Sequence, residues 1–240
     1  MIKVLFEATL QVIIVIPIAF IFLKEKSILN YKRLLVFALI FVLYQYLIFL
    51  PKFNSNFDLI KNNWNWSGKF LGIIYGIIAY SLFKKYFKEN NFFTIKQNIG
   101  NLKPALIGAF GIVLMSMIPW SISAKSAFNI ETLAFQISLP GIDEEIIFRG
   151  ILLGLLATAL KERFPCSVSP AIMLTAFLFG LTHSLSLNDD YLIDFKPLYF
   201  TYTVFTGYVW GWITIKSRSI LLAILSHNIS NFFITVLTMI

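Results

Sequence analysis

The sequence predicts an all-α membrane protein, a polytopic bundle of about eight transmembrane helices. Hydrophobic residues make up 58% of the 240-residue chain and its mean hydropathy is +0.78. Charged residues make up only 13%, about half of the roughly 25% that soluble domains carry. The apolar residues fall into runs near the length of about 20 residues that a helix needs to cross the hydrocarbon core.

Eight apolar stretches are candidate membrane spans. They cover residues 4–23, 34–51, 68–83, 104–123, 129–160, 168–186, 198–215 and 219–239. The fifth stretch is longer than one span needs, and Pro140–Gly141 interrupts it. Because proline removes a hydrogen-bond donor from a helix and clashes with the preceding turn, we expect a break or kink there. The acidic run 143–145 would then lie in the first turn after the break, favoured by the helix dipole, with Asp143 as the cap.

The charge pattern indicates a membrane orientation. The net charge of +8 comes mostly from lysines between the apolar stretches. Lys69, at the edge of the third stretch, is counted with them. Such lysines indicate topology and contact with anionic membrane lipids rather than nucleic-acid binding. The positive-inside rule predicts that both termini lie outside the cytoplasm. The single cysteine, Cys166, excludes an internal disulfide and a multi-cysteine metal site.

The first polar motif, Glu144-Glu145-x-x-x-Arg149, lies inside the fifth stretch. A charge at the bilayer centre costs about 2.5–3.5 kcal/mol on insertion scales, so its presence there indicates a function. Glu145 and Arg149 are four residues apart and can pair on one helix face, whereas Glu144 points elsewhere and is available for proton transfer. The spacing alone does not say which glutamate is the base. In the alternative, these are surface charges, which leaves residues 146–160 as too short a span.

Both histidines of the chain lie in apolar stretches. His183 follows Phe179 by four residues, and Asn231 follows His227 by the same spacing, which puts imidazole and amide on one helix face. Either motif alone fits an interhelical hydrogen bond, worth about 0.6 kcal/mol in membranes. Together with the glutamate pair, they make a complete set for hydrolysis.

These three motifs, in this order on successive apolar helices, resemble those of the CPBP family. This is the group of CAAX-processing and bacteriocin-processing intramembrane proteases, also called Abi or Rce1-like. The resemblance covers roughly residues 104–240 as a catalytic membrane core, with the site among the C-terminal helices. Residues 1–103 carry no motif and supply transmembrane helices and connecting loops within the same integral membrane domain. The resemblance implies an endopeptidase acting on a membrane-associated peptide or a lipid-modified protein.

The resemblance also implies residue roles. Glu144 would act with His183 to activate a water, and His227 and Asn231 would stabilise the oxyanion. Glu145 and Arg149 would form a supporting pair. A competing metalloprotease scheme makes Glu144, His183 and His227 the ligands of a Zn²⁺ ion, with an open position for water. Asparagine would be an unusual ligand, which favours the scheme without metal, but the sequence leaves both open.

Two other functions stay open at this point. One is a non-catalytic bacteriocin-immunity or adaptor protein of the same family, although such a protein would not need a base and an oxyanion donor. The other is a proton-coupled transporter with Glu144, His183 and His227 as a relay, although the chain shows no internal repeat. The excess of lysine over arginine and the abundance of asparagine, isoleucine and phenylalanine indicate an AT-rich genome. We therefore expect a multi-pass protein of a bacterial cell membrane.

Overall fold

The structure is a computed structural model that describes residues 1–118, 125–162 and 168–240. Within these ranges the chain is a bundle of helices, which confirms the predicted fold class. The helices are α1 (Ile2–Ile21), α2 (Ile28–Phe53), α3 (Trp66–Phe83), α4 (Leu102–Ser116), α5 (Ile130–Glu145), α6 (Leu153–Ala159), α7 (Pro170–Ser184), α8 (Pro197–Ser217) and α9 (Leu221–Met239). A π-helical stretch, Ile146–Leu152, joins α5 to α6. The strands β1 (Leu185–Leu187) and β2 (Ile193–Phe195) form an antiparallel hairpin between α7 and α8.

The helical segments agree with the predicted apolar stretches. Five segments are long and apolar enough to cross a membrane: Ile2–Ile21, Ile28–Phe53, Trp66–Tyr86, Ile99–Ser116 and Leu221–Met239. By length and composition, these segments indicate an integral multi-pass membrane protein. The end of the predicted fourth stretch and Cys166 lie outside the described residues. The orientation of the termini across the membrane stays a prediction.

The rod formed by α5, the π-helical stretch and α6 is the central helix of the bundle. Every residue from 143 to 156 is buried, and the rod packs against α2, α3, α7, α8 and α9. Its polar residues therefore face protein rather than lipid, which is where charged residues of membrane proteins are normally found.

The predicted break at Pro140–Gly141 is wrong, because α5 runs through both residues to Glu145. The side chain of Asn228 in α9 supports the backbone here: its Nδ2 donates to the carbonyl of Ser138 at 2.7 Å, and the Gly141 N–H donates to its Oδ1 at 2.7 Å. Glycine permits this approach, since a Cβ at position 141 would lie 2.5 Å from that oxygen. Asn228 thus supplies polar partners beside a proline that would otherwise weaken the helix.

The acidic run consequently lies at the C-terminal end of α5 rather than in a first turn. The favourable helix dipole and the capping role predicted for Asp143 are therefore both wrong, because no helix begins there. The three carboxylates must be balanced by other side chains.

The helix α3 approaches the central rod through glycines. A Cβ at Gly72 would lie 2.1 Å from Oδ1 of Asp143, and one at Gly76 would lie 2.5 Å from Cγ2 of Ile146. Glycines spaced by four residues let membrane helices come close together. This contact brings the N-terminal half of the chain against the acidic run.

We expect Asn228→Ala to lower the free energy of unfolding by about 1–3 kcal/mol, because the buried Gly141 N–H loses its acceptor. Thermal unfolding in detergent, followed by circular dichroism, should show a lower Tm. The matched control is Asn231→Ala on the same helix, since the Asn231 side chain makes no hydrogen bond to any residue within the described ranges. A Tm loss of the same size in both variants would contradict the assigned role of Asn228.

Candidate active site

A cavity of about 990 Å³ opens beside the central rod. Its walls come from α2, α3, α5, α7, α8 and α9, together with the segment that precedes α3. Four of the six predicted site residues line it: Glu144, His183, His227 and Asn231. The other two, Glu145 and Arg149, lie behind its wall with exposed fractions of 0% and 1%. The structure therefore brings the three sequence motifs together at one place.

Glu144 faces both histidines across this cavity. Its Oε2 lies 3.7 Å from Nε2 of His183 and 3.9 Å from Nε2 of His227. These distances are too long for direct hydrogen bonds. They suit a water that is bound by the carboxylate and an imidazole together.

The Phe179-x-x-x-His183 motif fixes the tautomer of His183. Its Nδ1 lies 2.8 Å from the carbonyl oxygen of Phe179, and a carbonyl can only accept, so Nδ1 carries the proton. The lone pair of Nε2 is then directed towards Glu144. The two rings also pack with their centroids 4.3 Å apart. His183 is thereby held as an acceptor at the cavity wall.

Glu145 connects Arg149 to His227 through one oxygen. Nη1 of Arg149 donates to Oε1 of Glu145 at 2.9 Å, and Nδ1 of His227 donates to the same oxygen at 2.8 Å. The ring of His227 stacks on Trp210 at a centroid distance of 4.0 Å. The Nδ1–H group of His227 is already used in the hydrogen bond to Glu145. Nε2 of His227 can therefore donate into the cavity only when the imidazole is protonated on both nitrogens.

Arg149 is itself held by several partners. Its Nη2 donates to the carbonyl of Gly207 in α8 at 3.0 Å, and its guanidinium carbon lies 4.6 Å from the centroid of the Phe179 ring. The ion pair expected from the spacing of Glu145 and Arg149 is thus part of a contact among α5, α7, α8 and α9.

Lys69 and Tyr44 are site residues that the sequence analysis missed. Nζ of Lys69 donates to Oε1 of Glu144 at 2.7 Å and to Oδ2 of Asp143 at 2.9 Å. The hydroxyl of Tyr44 donates to the same Asp143 oxygen at 2.6 Å. A signal was present in the sequence, because Lys69 is the one charged residue in the predicted stretch 68–83. The side chain of Lys69 lines the cavity and does not lie in a loop. Counting Lys69 as a topology signal was therefore wrong.

Glu144, His183 and His227 offer one oxygen and two nitrogen donors of the kinds that zinc binds. Across residues 1–118, 125–162 and 168–240, no group of three or more histidine, cysteine, aspartate or glutamate side chains is arranged to hold a metal. Lys69 already supplies a positive charge to one oxygen of Glu144. As they lie here, Glu144, His183 and His227 do not form a metal centre. The zinc scheme stays a prediction.

Residues 126–233 match the family profile described as "Type II CAAX prenyl endopeptidase Rce1-like". The matched range contains all six predicted site residues but neither Lys69 nor Tyr44. The comparisons with curated proteins and with solved structures found no match. The match to the Rce1-like profile confirms the resemblance that the three motifs indicated.

We expect Arg149→Ala to lower the free energy of unfolding by about 3–5 kcal/mol, because Glu145 would stay buried without its cation. Arg149→Lys should lower the free energy of unfolding by less, because it keeps the positive charge beside Glu145 and loses only the donor to Gly207. Thermal unfolding of both variants in detergent checks this order. An alanine variant as stable as the wild type would show that Glu145 is balanced by another group.

Proposed function

We propose that this chain is an intramembrane endopeptidase, because residues 126–233 match the Rce1-like family profile. Its substrate is a peptide or a lipid-modified protein that enters the cavity from the membrane. One observation carries the proposal: a carboxylate oxygen of Glu144 lies within 4 Å of Nε2 of both histidines, on the wall of a cavity large enough for a peptide.

The first step is the activation of water by Glu144 and His183. The free oxygen of Glu144 and the lone pair of His183 Nε2 both accept hydrogen bonds, so one water can donate to each of them. As the water oxygen bonds to the scissile carbonyl carbon, its proton passes to this pair. General-base catalysis of this kind contributes about 10²–10⁴-fold to a rate.

The second step is the stabilisation of the oxyanion by His227 and Asn231. Nε2 of His227 lies 3.9 Å from Oε2 of Glu144 and donates to the oxyanion when the imidazole carries a hydrogen on both nitrogens. The amide of Asn231 supplies a further donor from the next turn of α9.

The tetrahedral intermediate then collapses. The carbon–nitrogen bond breaks, and the proton taken from the water is passed to the departing amine. The products are a carboxylic acid and an amine, which ionise to a carboxylate and an ammonium, and no oxidant or reductant is consumed. The same pair of groups serves as base and then as acid.

The shape of the cavity supports a peptide substrate. A volume of about 990 Å³ is at the upper end of the usual range for ligand sites, about 300–1,000 Å³. Its wall combines aromatic side chains, among them Trp64, Phe135, Tyr199 and Tyr202, with the polar groups described above. Such a wall suits a chain of alternating apolar side chains and polar backbone.

The test is proteolysis of a quenched fluorescent peptide library by the purified protein in detergent. We expect Glu144→Gln and His183→Ala each to lower kcat by at least about 100-fold, because either change removes one acceptor of the water proton. Glu89→Gln is the matched control, since Glu89 is exposed and does not line the cavity. The Tm of each variant should stay near that of the wild type.

Two further results bear on the same proposal. Full activity in Glu144→Gln would overturn the assignment of the base, and failure of the folded wild type to cleave any peptide would favour the adaptor alternative. Adding the chelator phenanthroline separates the two schemes, because a zinc enzyme loses activity and a glutamate–histidine enzyme does not.

We expect Asn231→Ala to lower kcat by about 10²–10³-fold, the usual loss when an oxyanion donor is removed. KM should change little, because the donor acts on charge that develops in the transition state. Steady-state kinetics on the best library peptide measure both constants. A rise in KM with unchanged kcat would instead make Asn231 a substrate-binding residue.

A further inference from the structure

We propose that Lys69 is a positioning residue, which holds Glu144 in the orientation needed to activate the water. The inference rests on the proposed function. It also extends the site beyond the family match, because Lys69 and its partner Tyr44 both precede residues 126–233.

The two oxygens of Glu144 have different surroundings. Oε1 accepts from Nζ of Lys69 at 2.7 Å, whereas Oε2 makes no hydrogen bond to the protein within the described ranges and faces the histidines. Charge-assisted hydrogen bonds of this length are the strong ones in proteins. With one oxygen fixed by Lys69, the other keeps a constant distance from both imidazoles.

Lys69 is itself held in place by a second carboxylate. Its Nζ also donates to Oδ2 of Asp143 at 2.9 Å, and the hydroxyl of Tyr44 donates to that oxygen at 2.6 Å. Asp143 and Tyr44 have exposed fractions of 0% and 1%. The contacts therefore form a chain from α2 through α5 and α3 back to Glu144. A long and flexible side chain becomes a fixed support.

The backbone of α3 lies close to Asp143 at a glycine. Gly72 lies three residues after Lys69, and a Cβ there would lie 2.1 Å from Oδ1 of Asp143. Any larger residue at this position would collide with Asp143, so glycine allows α3 to lie this close to the acidic run. This approach lets Lys69 reach two neighbouring carboxylates at once.

Lys69 also balances charge around Glu144. Lys69, His183 and His227 face Glu144 from α3, α7 and α9, while Asp143, Glu145 and Arg149 lie on its own rod. Tyr44 from α2 and Tyr199 from α8 line the same cavity as Glu144. Without Lys69, three buried carboxylates would share one fixed cation. Lys69 therefore supplies the second cation of this cluster, placed directly on Oε1 of Glu144.

The experiment compares steady-state kinetics of the wild type, Lys69→Met and Lys69→Arg at neutral pH. We expect Lys69→Met to lower kcat by about 10–100-fold, a share of what general-base catalysis contributes, with KM within about twofold. Lys69→Arg should restore part of kcat, because it keeps a cationic donor near Oε1 of Glu144.

Two variants keep the result interpretable. Lys84→Met is the matched control, because Lys84 follows the end of α3 and is exposed, and its kinetics should equal those of the wild type. Tyr44→Phe removes one hydrogen bond from Asp143 without altering charge, so it should lower kcat by a smaller factor. It carries the test if Lys69→Met does not fold.

The outcomes separate this inference from the proposed function. If the wild type cleaves peptides and Glu144→Gln does not, the proposed function stands. A wild-type kcat in Lys69→Met, or in Tyr44→Phe where the first variant is unfolded, would then overturn the role of Lys69 alone. No cleavage by the folded wild type would overturn both.

Discussion

Three consecutive carboxylates are buried near the middle of this bundle, and the packing around them follows from the need to balance their charge. Each is balanced differently. Asp143 accepts from Tyr44 and Lys69, Glu144 from Lys69, and Glu145 from Arg149 and His227. Burying one uncompensated charge costs several kcal/mol even after the protein relaxes. The positions of α2, α3 and α9 against the central rod are thus constrained by electrostatics as well as by apolar contact.

The same compensation divides the site into two halves. On one side, Arg149 and Glu145 set the orientation of His227, and Trp210 stacks on its ring. On the other side, Lys69 occupies one oxygen of Glu144 and leaves its second oxygen facing the histidines. An ionised group that is held in place before substrate arrives needs little rearrangement during the reaction, and such preorganisation is a large source of catalytic power in enzymes.

Much of this arrangement could be predicted from sequence, and the exceptions have physical reasons. Helix-period spacing sufficed for the pairing of Glu145 with Arg149, and the apolar runs sufficed for the bundle. The effect of Pro140 could not be predicted, because Asn228, which supports the backbone there, lies 87 residues from Gly141 in sequence. Lys69 was misinterpreted because the direction of a lysine near a helix end depends on the neighbouring helices. Here the neighbour is Asp143, which lies 74 residues away.

The ion pairs of Lys69 cross the boundary between the N-terminal helices and the part of the chain that carries the family motifs. A chimera that joined these C-terminal helices to the N-terminal helices of a relative would keep every recognisable motif. It would nevertheless lose the counter-ion of Glu144 unless a lysine, and the tyrosine that supports it, came from the new partner. The two parts therefore share one charge-balanced site, as two subunits do across an interface, although they belong to one chain.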